Sequence, residues 1–201
     1  MENLRGEYSK RKKAIKARLE DFSKVKEEDY FYEMCFCICT PQSSAFKSDK
    51  AVKFLIENDF KNKDIGPSNH LVKAGVRFHK NKGEYLKELK EKYPILLNKI
   101  KETKNQYELR EFLVNNVKGY GYKEASHFLR NIGKRDLAIL DRHILKNLKN
   151  IGAIEEFPKA LTKKKYLELE EKFKAFSNKI KIPIDELDLL FWSQETGEIF
   201  K

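Results

Sequence analysis

Two side chains with complementary chemistry, Lys123 and Asp141, lie 18 residues apart in a chain of 201 residues. A lysine that has lost its proton is a nucleophile that can attack a sugar carbon and form a Schiff base, whereas an arginine stays charged. A carboxylate beside it would stabilise an oxocarbenium-like transition state. The pair therefore predicts attack at an anomeric carbon, with Lys123 as the nucleophile and Asp141 as its carboxylate partner.

Each residue of this pair also has a simpler interpretation. Lys123 could be an ordinary solvated lysine in the first turn of a helix. Asp141 directly precedes a predicted helix at Arg142 and suits an N-cap, a role that leaves one carboxylate oxygen available for chemistry. Both residues would then lie at helix starts, where the helix dipole disfavours a cation and favours an anion.

A glycine turn, Lys118–Gly121, comes just before Lys123 and is flanked by two helical patterns. Glycine at 119 and 121 permits positive φ and close approach of another group. Amides at the start of the second helix suit a phosphate, and residues 118–149 hold eight Lys or Arg against three Asp or Glu. We predict a helix-hairpin-helix over residues 107–133 that binds the DNA backbone, with an ordinary glycine-capped turn between helices as the alternative.

The net charge of +11 is compatible with an acidic partner, most simply a nucleic acid, or with a merely basic soluble protein. The charged N-terminal sequence lacks the apolar stretch of a secretion signal, and no apolar run approaches the roughly 20 residues of a membrane helix. We therefore expect a cytoplasmic, nucleoid-associated protein of a prokaryote that makes no membrane contact. The three cysteines, Cys35, Cys37 and Cys39, are predicted to be small buried residues of a reduced protein.

The elements that must position these groups are predicted to be helices almost throughout. Apolar residues recur at helical spacing, and no strand-like alternation persists. We predict an all-α fold of two helical subdomains with a cleft between them. Residues 1–45 with 135–201 are assigned to one subdomain, and residues 46–134, ending in the helix-hairpin-helix, to the other. Beyond the two N-terminal helical stripes, the predicted helices are Ala51–Glu57, one from near Ser68, Glu84–Lys92, Glu108–Asn116, Tyr122–Ile132, Arg142–Leu148, Lys163–Phe176 and Pro183–Trp192.

The segments Gly119–Lys123 and Leu140–His143 together resemble the helix-hairpin-helix DNA glycosylase superfamily. A lysine at the fourth place after the first hairpin glycine marks the members of that superfamily that are also lyases. The resemblance implies that Lys123 is the Schiff-base nucleophile and Asp141 the essential carboxylate. It also implies DNA-backbone contacts, for which the candidates are Lys118, Gly119, Gly121 and His143.

The distribution of cysteines indicates which members of this superfamily the chain resembles. No cysteine follows Cys39, which excludes the four-cysteine iron–sulfur loop of endonuclease III-like members, so neither a cofactor nor a metal is expected. Over roughly residues 28–201 the pattern resembles the second class of 8-oxoguanine DNA glycosylase/AP lyase, found largely in archaea. Such a protein would act in base excision repair as a monomer on double-stranded DNA containing 8-oxoguanine.

A base inside a duplex must be extruded before its sugar can be attacked. The loop Thr40–Ala45 resembles the superfamily loop whose polar side chain probes the vacated space, and Gln42 is the candidate. The alternative is a turn started by proline and followed by a serine cap.

The C-terminal segment is the second candidate for base recognition. Trp192 is the sole tryptophan, and core packing is its simpler interpretation. The resemblance implies that the terminal Lys201 enters the base pocket, where its carboxylate would accept the N7–H of 8-oxoguanine and repel the bare N7 of guanine; its ammonium could act instead. Ile199 and Phe200 predict a docked tail, because a free end would leave them in water.

Three functions are compatible with these features. The first is a bifunctional enzyme that excises 8-oxoguanine through a lysine Schiff base and cleaves the abasic site by β-elimination. The second is the same scaffold acting on another damaged base. The third is a non-catalytic helix-hairpin-helix module that only binds DNA.

Overall fold

The computed structural model describes residues 2–201, and its regular secondary structure there is helical. No strand occurs in this part of the chain, which confirms the predicted all-α fold. A short 3₁₀ turn, Glu27–Asp29, precedes the second helix. The α-helices, numbered in chain order, are α1 Glu2–Ser23, α2 Tyr30–Cys39, α3 Ala45–Glu57, α4 Pro67–Lys73, α5 His79–Glu102, α6 Gln106–Asn116, α7 Tyr122–Asn131, α8 Arg142–Asn150, α9 Lys163–Ile180 and α10 Ile184–Thr196.

The helix ends follow local sequence signals. Side-chain oxygens of Ser44, Asn105 and Thr162 accept backbone N–H groups at the starts of α3, α6 and α9, which satisfies amides that have no partner within the helix. Gly133 follows α7 with φ of 85°, and a Cβ there would lie 2.9 Å from the Cα of Ser23. Only glycine fits that position without strain.

Helix α5 differs from its prediction. The pattern predicted a helix over Glu84–Lys92, yet α5 runs from His79 to Glu102 and contains Pro94. A proline inside a helix removes one backbone hydrogen bond and usually favours a break. Buried residues on both sides of Pro94, among them Leu89 and Ile100, hold the longer helix together through packing.

The chain forms two compact units, one comprising Val25–Ile132 and the other the N-terminal segment up to Lys24 together with Gly133–Lys201. The predicted division placed residues 25–45 with the termini, and the structure differs there. Helix α2 packs against α3, α5 and α7, all of which belong to the Val25–Ile132 unit. We call this unit the hairpin unit and the other the terminal unit.

The core of the hairpin unit is built around α2. Phe31 and Met34 are fully buried, and so are Cys35, Cys37 and Cys39, as predicted. Burial raises the pKa of the Cys35 thiol well above its usual value, which keeps that thiol protonated. These cysteines therefore serve as small core residues.

The terminal unit is built around α10, which packs against α1, α8 and α9. Almost all of α10 from Ile184 to Phe191 is buried. The Tyr8 hydroxyl of α1 donates a buried hydrogen bond to Glu186. Burial, followed by this contact, raises the pKa of Tyr8. Helices α1 and α10 are thus joined by a polar bond as well as by apolar packing.

No helix in the described part of the chain is long and apolar enough to cross a membrane.

Candidate active site

The predicted helix-hairpin-helix is formed by α6, the turn Val117–Gly121 and α7. Gly119 adopts φ of 87°, and a Cβ at this position would lie 2.6 Å from the Tyr85 ring. Both observations require glycine, because a side chain would strain the backbone and collide with the ring. The first hairpin glycine is therefore fixed by packing within the hairpin unit.

Lys123 lies in the first turn of α7, as predicted, with 23% of its side chain exposed. Its Nζ is 3.0 Å from Oε1 of Glu124. The other oxygen of that carboxylate, Oε2, accepts the backbone N–H of Gly121 at 3.1 Å. One carboxylate therefore caps the helix and holds the candidate nucleophile at the same time.

This cap modifies the expected phosphate site. The N–H of Gly121 is occupied by Glu124, so the hairpin offers one amide fewer to a phosphate than the sequence suggested. Lys118 is 58% exposed, with its Nζ 3.5 Å from a Glu88 oxygen and 5.7 Å from the centre of the Tyr85 ring. Contacts of Lys118, Gly119 and Gly121 with the DNA backbone remain predictions.

Asp141 is the N-cap of α8. Its Oδ1 accepts the backbone N–H groups of His143 and Ile144, both at 2.8 Å. The capping interpretation is thus confirmed. Because both bonds use Oδ1, Oδ2 is the oxygen that can serve chemistry.

The chain that leads into Asp141 is held by groups from α9. The Tyr166 hydroxyl donates to the Ala138 carbonyl at 2.7 Å and accepts the Leu140 N–H at 3.3 Å. A Glu170 oxygen accepts the Ala138 N–H at 2.8 Å. Neither side chain is recognisable from the sequence, since both come 25 or more residues after Asp141 and give no local signal.

His143 faces a mixed group of charges in the terminal unit. Its Nδ1 lies 3.6 Å from Glu195, which also pairs with Lys146 at 3.1 Å. The hydrogen bond from Lys146 is the main reason that the pKa of Glu195 lies below its usual value. These residues line a pocket of about 360 Å³ together with Arg142 and Lys149. A phosphate contact of His143 remains a prediction, and a phosphate there would compete with Glu195.

The C-terminal tail is docked, as predicted. Phe200 packs against Trp192, with ring centres 6.3 Å apart, and the Arg18 side chain donates to the Phe200 carbonyl at 2.7 Å. Trp192 and Lys201 are both partly exposed. The terminal unit thus fixes the residue next to Lys201, while the roles of Trp192 and Lys201 in a base pocket remain predictions.

Gln42 lies between α2 and α3, is exposed, and adopts φ of 56°, a conformation that is uncommon for a residue with a side chain. Lys82, at the start of α5, donates hydrogen bonds to this loop. Lys82 was not among the residues predicted from the sequence. A signal existed, because Lys82 precedes the buried Leu86 and Leu89 at helical spacing and therefore lies on the buried face of α5.

Within residues 2–201 the structure contains no group of three or more His, Cys, Asp or Glu side chains that could hold a metal ion. The predicted site residues are divided between the two units. They form two groups, Lys123 with the hairpin and Gln42 in the hairpin unit, and Asp141, His143, Trp192 and Lys201 in the terminal unit.

Comparison with known proteins identifies the family. The family model described as 8-oxoguanine DNA glycosylase matches residues 15–182. This chain belongs to the 8-oxoguanine DNA glycosylase family. The matched segment contains Gln42, Lys123 and Asp141, whereas Trp192 and Lys201 follow it.

Relatives extend the match of this glycosylase over nearly the whole chain. An 8-oxoguanine DNA glycosylase/AP lyase of Fusobacterium nucleatum is 43% identical, covering 96% of this chain and 94% of the relative. The crystal structure of the 8-oxoguanine DNA glycosylase of Thermotoga maritima has a TM-score of 0.89 at 33% identity, covering 100% of this chain and 97% of that one.

A third relative was solved with a nucleic acid. It is the 8-oxoguanine glycosylase/lyase of Methanocaldococcus jannaschii in complex with a 15-mer DNA containing 8-oxoguanine. Its TM-score is also 0.89, at 33% identity over 100% of both chains. Relatives from both bacteria and archaea therefore share the fold of this glycosylase.

Proposed function

We propose that this protein excises 8-oxoguanine from double-stranded DNA and then cleaves the abasic strand by β-elimination. The observation that carries the proposal is the lysine at the start of α7, directly after a glycine hairpin and paired with a helix-capping carboxylate. Relatives that match nearly the full length bear the name 8-oxoguanine DNA glycosylase/AP lyase. The favoured function is therefore that of a bifunctional glycosylase and lyase.

Lys123 acts as the nucleophile. Its neutral amine attacks C1′ of the damaged nucleotide, and the glycosidic bond breaks with its electron pair leaving on the base, which takes up a proton. Opening of the sugar ring converts the C1′–N bond into a Schiff base. Loss of a C2′ proton then expels the 3′-phosphate, and this β-elimination breaks the strand.

Glu124 is suited to start this sequence. The amine must lose a proton before it can attack, and Oε1 of Glu124 lies 3.0 Å from Nζ, within the distance over which a positioned base accepts a proton. Because Oε2 is bonded to the Gly121 amide, the carboxylate stays in place during the transfer. We assign Glu124 the role of proton acceptor for Lys123.

Asp141 stabilises the positive charge that develops on the sugar as the base departs. Its Oδ1 is engaged by two amides at the start of α8, and these bonds fix the orientation of the carboxylate. The remaining oxygen, Oδ2, would face the sugar. The cap thus orients the charge that the transition state needs.

Recognition of the lesion is assigned to the C-terminal tail and the probe loop. Lys201 would read N7–H of 8-oxoguanine through its carboxylate or act through its ammonium, Trp192 would stack on the extruded base, and Gln42 would fill the space left in the duplex. A donor or acceptor mismatched with guanine in this pocket would cost about 1–3 kcal/mol. An enzyme of this kind works where the chromosome is, so we infer a cytoplasmic, nucleoid-associated location.

Borohydride trapping tests the proposal. A Schiff base between protein and a duplex carrying 8-oxoguanine is reduced to a stable covalent adduct that is visible by gel electrophoresis. We expect the wild-type protein to form it and Lys123→Gln to form none, with turnover lower by on the order of 10³-fold or more.

Lys118→Gln is the matched control, since it removes a lysine of the same hairpin that is more exposed and makes a weaker ion pair. It should retain the adduct, bind DNA somewhat less tightly at low salt, and lose less affinity than wild type as the salt concentration is raised. An adduct only with a different lesion would support the same scaffold acting on another base. Binding without any adduct would support the non-catalytic module.

A further inference from the structure

The loop between α2 and α3 holds one residue in an uncommon backbone conformation. Gln42 is exposed, with φ of 56°, a value that costs energy for any residue other than glycine and persists only where the surroundings impose it. Something in the hairpin unit must therefore hold this loop.

Lys82 supplies the constraint. Its side chain is almost completely buried, with 4% of the residue exposed. Its Nζ donates to the carbonyls of Cys39 and Pro41, both at 2.7 Å, and to the Ser43 hydroxyl at 3.2 Å. An ammonium has three donors, and all three are used on the last residue of α2 and the loop around Gln42.

Further bonds fix the residue after Gln42. The Ser43 hydroxyl also accepts the backbone N–H of Arg77 at 3.0 Å, and the Ser43 N–H donates to the Thr40 carbonyl at 2.9 Å. The backbone on both sides of Gln42 is thus anchored, while its own side chain extends into solvent.

We propose that Lys82 is a positioning residue that fixes Gln42 in the conformation needed to enter the duplex when the damaged base is extruded. This inference rests on the proposed function. A side chain that replaces a base must be ordered on binding, and fixing the backbone of a flexible residue costs conformational entropy. A loop already ordered by Lys82 avoids that cost at the moment of extrusion.

The burial of the Lys82 ammonium is unfavourable by itself and depends on its hydrogen bonds to the loop. Burial lowers the pKa of Lys82 to about 8, and the positive charges of Lys123 and Arg77 act in the same direction. Keeping an ammonium buried is unfavourable unless its hydrogen bonds are satisfied. The carbonyls of Cys39 and Pro41 and the Ser43 hydroxyl accept these hydrogen bonds. Without these acceptors the ammonium would be buried with no partner.

A double-mutant cycle on duplex excision tests the inference. The rate of 8-oxoguanine release under single-turnover conditions is measured for wild type, Gln42→Ala, Lys82→Met and the double variant. We expect Gln42→Ala to slow excision by about 10-fold. The reason is that no side chain then fills the space that the extruded base leaves in the duplex. Lys82→Met should slow it similarly, and the double variant by no more than about twofold beyond either, because the two act through one step.

Lys90→Met is the matched control. Lys90 lies on the same helix and donates to the carbonyl of Lys63 at 2.7 Å, so its loss also removes a bond from a lysine to a backbone carbonyl. It should leave duplex excision unchanged. If Lys82→Met does not fold, as judged by circular dichroism and thermal unfolding, Ser43→Ala replaces it in the cycle, since Ser43 accepts from Lys82.

Two results would overturn the inference. One is an unchanged rate in Gln42→Ala. The other is a double variant whose slowing equals the product of the single effects, about 100-fold, which indicates independent roles. A wild-type protein that releases no 8-oxoguanine and forms no trapped adduct would instead overturn the proposed function.

Discussion

The starts of α7 and α8 each present a candidate active-site residue, but they divide their tasks differently. At α7 the cap is Glu124 and the candidate nucleophile is its neighbour Lys123. At α8 Asp141 is both the cap and the candidate catalytic carboxylate. Stability and activity should therefore be separable at Lys123 and coupled at Asp141. A lysine that must change its charge and its bonding is best freed from structural tasks, whereas a carboxylate that forms no covalent bond can fulfil both roles.

The largest expected effect that tests this contrast is at Asp141. Asp141→Asn and Asp141→Ala should both lower turnover by on the order of 10³-fold, because the charge that stabilises the transition state is lost. Only Asp141→Ala should also lower the free energy of unfolding, by about 1 kcal/mol, since asparagine still caps a helix. Single-turnover kinetics and urea unfolding measure the two effects.

Thr162→Ala is the control for the loss of a cap, because Thr162 caps α9 in the same unit. It should cost a similar amount of stability and leave turnover unchanged. Full activity in Asp141→Asn would reduce Asp141 to a cap and end the contrast.

A smaller effect is expected at Glu124. Glu124→Gln keeps an oxygen that can accept the Gly121 N–H, but it removes the carboxylate that receives a proton from Lys123. Turnover should fall by about 10²-fold, the lower end for loss of a general base, while thermal stability stays close to that of wild type. The loss of turnover relative to wild type should diminish at higher pH, because hydroxide can then take the proton from Lys123. The rate is therefore measured across pH 7–10.

If the lower turnover of Glu124→Gln is explained entirely by a smaller fraction of folded protein, Glu124 has a purely capping role instead. In that case the division of tasks at α7 would be complete, with Glu124 serving the structure and Lys123 the chemistry.

The smallest expected effect is at Lys82, a buried residue near the start of a third helix, α5. The pKa of Lys82 is lowered from 10.5 to about 8, so between these values the unfolded chain binds more protons than the folded one. Stability must then rise with pH over this range. The free energy of unfolding of wild type relative to Lys82→Met should increase from pH 8 to pH 10, as measured by urea unfolding. A flat or falling difference would show that Lys82 is not a buried cation.

The fold was predictable from local pattern wherever helices have clear starts and apolar stripes. The residues that begin α7 and α8 were placed correctly, as was the glycine turn between α6 and α7. The course of α5 through Pro94 was not, because packing of residues such as Leu89 and Ile100 outweighs the local preference of proline. The assignment of residues 25–45 also differed, since the partners of α2 are set by tertiary contacts that periodicity does not reveal.

The site was predictable only in part, for a similar reason. Lys123 and Asp141 stand beside recognisable turns and caps. Tyr166 and Lys82 act through bonds to distant backbone carbonyls, and a tyrosine or lysine in a helical pattern looks the same whether it is solvated or bonded to such a group. Residues that do chemistry at helix starts are thus easier to find than residues that hold them.

The most direct test of the claim that Lys123 is the nucleophile is to locate the covalent bond between protein and DNA. The protein is trapped with borohydride on a duplex containing 8-oxoguanine, digested, and analysed by mass spectrometry for the peptide that carries the sugar remnant. The claim predicts the remnant on Lys123. A remnant on any other lysine would contradict it.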